Sequence, residues 1–184
     1  MKMMKKVFAA LLILLSFQLQ ANESNVFEYS VNDDLDDVYS RVYKGLEDDG
    51  FYVVFEANIG RSISRFADKW GDDYNKNKLD GIRSMVFCSG WYANQVSNKD
   101  PSMLALCPMR MTLIEKNGKT TALFAKPSVI AAHSPALPIL QRLENEVTNA
   151  IKKSMDDKWL INQWFVDLLL VDILLGYGCF LNKT

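Results

Sequence analysis

Apolar and polar residues alternate from Val26 to Val31, the period of a half-buried strand. The period then changes: Leu35, Val38, Val42 and Leu46 recur every three or four residues, as on one face of a helix. Asn32-Asp33-Asp34 offers its N-cap and Gly50 its stop. Residues 51–59, rich in aromatic and β-branched side chains, predict a second strand that Gly60 ends. Residues 62–70 predict a helix, and 71–80 a polar surface loop. A third strand follows over 82–88, apolar on both faces toward its end as in an interior strand. Residues 89–96 predict a short helix, and Asp100-Pro101 opens a turn.

The strongest local signal is a hairpin. A strand over 107–115 meets Asn117-Gly118, the preferred type I′ turn pair, and 120–125 returns. Pro127 limits how far the return strand runs. A last helix begins at Ser134 with Pro135 or Pro138, and Leu140, Leu143, Val147 and Ile151 form its apolar stripe. Glu144 and Glu146 lie toward its start and Lys152 and Lys153 toward its end, which suits the helix dipole. Strands and helices in this order predict an α+β fold: a mainly antiparallel sheet with helices packed on one face.

The ends change the picture. Lys2, Lys5 and Lys6 precede the uncharged run 7–17, and small Ala21 precedes Asn22-Glu23-Ser24, the layout of a secretory signal peptide over residues 1–21 cleaved after Ala21. The run is shorter than the roughly 20 residues a spanning helix needs. The expected product is periplasmic or secreted, with one domain over 22–157. Losing three lysines takes the formal charge from −1 to −4, which does not suit a nucleic-acid binder.

Export also bears on the three cysteines. In an oxidising compartment Cys88 and Cys107 are candidates for a disulfide, leaving Cys179 over. Strand alternation from Cys107 puts Met109, Met111 and Leu113 on its own face and Arg110 and Thr112 on the other. Soft sulfur donors so gathered suit copper as Cu(I), so the alternative is a soft-metal or thiol redox protein using Cys88, Cys107, Met109 and Met111. A disulfide sulfur cannot also be a thiolate ligand, so the two uses exclude each other.

Other chemistry is sparse. The single histidine, His133, stands at a helix boundary without a nucleophile or further metal ligands to partner it. Asp33, Asp34, Asp36 and Asp37 are explained by the helix N-terminus they surround. Arg110 with Lys126 could recognise an anionic ligand, although a solvated sheet face explains Arg110 more simply.

Residues 158–184 form an apolar C-terminal tail that predicts a helix. From Trp159 to Leu181 it is almost continuously apolar, broken by Asn162, Gln163, Asp167 and Asp172. Each Asp near a bilayer centre costs about 2.5–3.5 kcal/mol and each large apolar residue returns about 0.3–0.6, so spanning is marginal. Trp159, Trp164, Phe165 and Leu169 are candidates for contact with the domain, a second copy or a membrane interface.

The strand ending Val86-Phe87-Cys88, the Asn98-Lys99-Asp100-Pro101 turn, the run from Leu104 through Cys107-Pro108-Met109-Arg110 to Lys119, and Lys126-Pro127 resemble the bacterial domain of unknown function 302 family. The resemblance covers roughly residues 26–153. It implies a compact α+β fold, often a homodimer, and supplies no catalytic residues. The family usually has Pro-Cys where this chain has Cys107-Pro108. The expected function is therefore an exported, non-enzymatic domain that needs no cofactor and binds a small ligand or protein partner, as a homodimer.

Overall fold

The computed structural model describes residues 24–157. The expected signal peptide with its cleavage after Ala21, and the tail with Trp159, Trp164, Phe165, Leu169 and Cys179, lie outside the described residues. Along the chain come β1 (Val26–Val31), α1 (Leu35–Asp48), β2 (Tyr52–Asn58), α2 (Ile59–Ser64), α3 (Ala67–Trp70), β3 (Gly81–Cys88), α4 (Gly90–Lys99), β4 (Met109–Lys116), β5 (Lys119–Ala125), α5 (Pro127–Ile130) and α6 (Leu137–Asp156). Short 3-10 turns occupy Gly71–Asp73 and Pro101–Leu106.

The five strands form one antiparallel sheet in the order β1-β5-β4-β3-β2, with β4 central and β1 and β2 at the edges. Met111 lies between Met85 and Phe124, and Leu113 beside Ala122, so one set of alternating side chains faces the same way across three strands. That set is buried beneath α1 and α6. The predicted α+β class, with helices on one sheet face, is the one found.

Local chemistry explains the elements. Asp34 caps α1 by accepting from the amides of Asp36 and Asp37, and Leu35, Val38, Val42 and Leu46 are all buried. Asn117 and Gly118 both hold positive φ, 53° and 69°, as a type I′ turn demands. Pro127 opens α5 instead of continuing β5. The stripe Leu140, Leu143, Val147 and Ile151 is the buried side of α6.

Two expected elements differ. The helix expected over 62–70 is two short helices, because Asn58 accepts from the Arg61 amide and starts the first one at Ile59. The hairpin strand begins at Met109 rather than Cys107. Pro108 has no N–H to give the ladder, so Cys107 stands ahead of the strand and does not share the Met109, Met111 and Leu113 face by alternation.

Helices α1 and α6 meet closely. A Cβ on Gly45 would overlap Ser154 Oγ, so the crossing needs glycine. Arg41, 4% exposed, reaches across: Nε donates to Ser154 O at 3.2 Å, and Nη2 pairs with Asp33 Oδ2 at 2.7 Å. It thereby serves carbonyls that the end of α6 leaves unpaired. Helix α6 also runs beside edge strand β1, with Lys152 over the Phe27 ring and Asp156 accepting from Tyr29 Oη at 2.7 Å.

Candidate functional site

Strand β3 carries candidate chemistry at both ends. Cys88 closes it, and Cys107 arrives through the turn after α4, placing the two Sγ atoms 2.9 Å apart. Both thiols are half-buried. Burial, then the hydrogen bond and negative charge of Cys88, pushes the Cys107 thiol up to about 11, so it keeps its proton at neutral pH. Cys107 and Met109 line one small apolar pocket with Tyr92, Val96 and Leu140. Met111 instead pairs with Met85 in the core. The structure thus joins Cys88 to Cys107, sets Met109 near them and places Met111 elsewhere. Among the described residues no group of three or more His, Cys, Asp or Glu is arranged to hold a metal ion.

At the other end of β3 a cleft of about 400 Å³ opens between the N-terminus of α1, helix α2 and the loop before Gly81. Its carboxylates are Asp34, Asp36, Asp80 and Glu115, and its cations Arg61 and Arg83. Gly81 leaves room here for the Leu35 side chain at the start of α1, which a Cβ would displace. Asn75 clasps the loop, its side chain bonded to both the N–H and the carbonyl of Leu79 at 2.9 Å. Asp80 accepts from the Asn117 amide at 2.7 Å, tying the loop to the hairpin turn.

Charge is uneven in the cleft. Arg83 is already engaged: it pairs with Asp36 at 2.6 Å and lies 3.5 Å above the Tyr39 ring, whose hydroxyl donates to Glu56 at 2.7 Å. Partial burial, followed by the charges of Asp34 and Asp80, raises the pKa of Glu115. Burial and the Glu56 carboxylate raise that of Tyr39.

The other sequence candidates are dispersed. Arg110 is exposed on the sheet face away from the helices, and Lys126 caps α5 beyond the end of β5; neither lines the cleft. His133 is exposed. Sequence reasoning missed Asp80, Glu115 and Arg83 as one constellation, because only the register pairing Gly81 with Glu115 and Arg83 with Leu113 brings them together.

The comparisons with known proteins agree with this fold. The crystal structure of an uncharacterized conserved DUF302 protein from Bacillus stearothermophilus superposes with a TM-score of 0.60 at 16% identity, over 70% of this chain and 97% of that one. No curated protein matches. Residues 27–157 match the family described as Domain of unknown function DUF302, and the chain belongs to that family.

Proposed function

We propose that this domain is an exported, non-enzymatic binding module. Its cleft receives a small organic cation, and Cys88 and Cys107 close a disulfide that fixes the opposite end of β3. The observation that carries the binding role is the cleft's charge: four carboxylates against two guanidiniums, one of them already held by Asp36. Partial burial raises the Glu115 pKa first, and the neighbouring Asp34 and Asp80 charges add to it; a bound cation would offset the part due to those charges.

Amide chemical shifts of the labelled mature protein, titrated with putrescine and separately with citrate, test this. Putrescine is expected to move Asn75, Gly81 and Glu115, and Glu115→Gln with Asp80→Asn to abolish the response. A response to citrate centred on Arg110 and Lys126 would sink the cation site and return the ligand to those two residues.

A second function, a reversible thiol couple, is favoured by one distance, the 2.9 Å between Sγ atoms. Reaction with glutathione disulfide would form the Cys88–Cys107 bond and release two molecules of glutathione. Reduced, the same pair with Met109 offers soft donors suited to Cu(I). The reduction potential separates the roles: below roughly −300 mV the bond is a staple, whereas about −180 to −270 mV marks an exchanging couple.

A further inference from the structure

The two thiols at the end of β3 are not equivalent. Cys107 lines the small apolar pocket with Leu140 and Leu143 of α6, and it keeps its proton at neutral pH. In the Sγ to Sγ contact of 2.9 Å it is therefore the donor, and Cys88 Sγ accepts. Cys88 immediately precedes Ser89, the N-cap of α4. Ser89 caps through its carbonyl, which accepts from the Ala93 N–H at 3.0 Å, and its side chain makes no capping bond. The first-turn amides of this helix thus point back toward the Cys88 end. Negative charge developing on the Cys88 sulfur is favoured twice, by those amides and by the Cys107 S–H.

The surface around the pair is apolar and open. Tyr52 stands opposite Cys88 across the β2–β3 ladder, and Phe55 opposite Val86 on the same face; each ring is 62% exposed. Trp91, in the first turn of α4, is 69% exposed. Leu104, whose carbonyl accepts from the Cys107 N–H at 2.9 Å, is exposed as well. Large apolar side chains left in water are thus chain or register neighbours of both cysteines. The patch is local, because Arg110 flanks Val86 on β4 and Ser84 follows it along β3. Glutathione, a small charged thiol, gains little from such a surface. A cysteine flanked by apolar side chains gains more, and those flanks are accessible only while a polypeptide is incompletely folded.

We infer that Cys88 attacks and Cys107 resolves in exchange with a disulfide of an incompletely folded polypeptide, whose apolar residues settle on Tyr52, Phe55, Trp91 and Leu104. This rests on the reading of the pair as a reversible thiol couple. The Cys88 sulfur bonds one sulfur of the polypeptide disulfide, that S–S bond breaks, and the other sulfur leaves as a thiol with the Cys88 proton. Cys107 then attacks Cys88 Sγ, and its proton passes to the sulfur that departs. The polypeptide disulfide is reduced to two thiols, and the protein dithiol is oxidised to the Cys88–Cys107 bond.

The test uses the full chain, reduced and freed of reductant, with Cys179→Ser so that only the pair reacts. Its probes are glutathione disulfide and the disulfide-linked dimers of two peptides, one with phenylalanine and leucine beside its cysteine and one with serine and asparagine there. The apolar dimer is expected to react on the order of tenfold faster than the polar one, and Tyr52→Ser with Trp91→Ser to bring that ratio close to unity. Cys107→Ser is expected to hold the apolar peptide on Cys88 as a stable mixed disulfide, found by mass. Cys88→Ser is expected to form the adduct at Cys107 on the order of tenfold more slowly. Equal rates for the two dimers, with glutathione disulfide still oxidising the pair, would overturn the polypeptide substrate and leave the reversible couple standing. An adduct that forms as fast at Cys107 as at Cys88 would overturn the assigned roles. No oxidation by any of the three probes would overturn the couple and the inference together.

Discussion

The two faces of one sheet make the informative comparison. The inner face carries Met85, Phe87, Met111, Leu113 and Phe124, all at most 2% exposed beneath helices from the same chain. The outer face carries Ile82, Val86, Ile114 and Leu123, half-exposed beside Arg110 and the ring of Phe55. The inner face is apolar across its centre, whereas the outer face interleaves its apolar residues with Glu28, Ser84, Arg110, Thr112 and Lys116. Apolar character therefore marks the face that the helices following β1 and β5 cover.

Substitutions on the two faces should separate sharply. Phe124→Ala is expected to cost about 3–5 kcal/mol by urea denaturation, because the surrounding core cannot collapse into the gap. With Cys88 and Cys107 bonded as proposed, Cys88→Ser is expected to cost about 3 kcal/mol, and reductant to lower the wild type to the same midpoint. Arg41→Ala is expected to cost about 2 kcal/mol, since it removes the ion pair to Asp33 and the hydrogen bond to the Ser154 carbonyl where α1 meets α6. On the outer face, Leu123→Ala is expected to cost less than about 1 kcal/mol by the same measurement, because its side chain is only half-buried.

The smallest effect concerns the cleft. Folded Glu115 holds its proton to higher pH than the unfolded chain does, so it contributes stability in acid and loses it as pH rises through the raised folded value. Glu115→Gln keeps a neutral side chain throughout. The melting temperature of the variant should therefore match that of the wild type near pH 3 and exceed it slightly by about pH 7. Equal curves across that range would remove the crowding of carboxylates from the account.

Much of the fold was legible because it rests on local periodicity. The stripe Leu35, Val38, Val42 and Leu46 and the stripe Leu140, Leu143, Val147 and Ile151 each name a buried helix face, and Asn117-Gly118 names a hairpin. The misplaced start of β4 has an equally local cause, the missing N–H of Pro108, which alternation alone ignores. The site was less legible. Cys88 and Cys107 could be paired by compartment and composition, but no pattern along the chain puts Asp34 of the α1 cap, Asp80 of a loop and Glu115 of a hairpin around one cleft.

The element types, the family, the cores of the two long helices and the pairing of β4 with β5 are written along the chain itself. These follow from short-range periods, from turn chemistry and from motifs contiguous in the chain. The strand order, which puts β1 at an edge beside the end of α6, emerges from the fold as a whole. The fold likewise sets the 2.9 Å approach of the thiols and gathers the carboxylates at the other end of β3. Each of these depends on register between strands distant in sequence. Register is set by the joint packing of whole faces, which no single segment encodes.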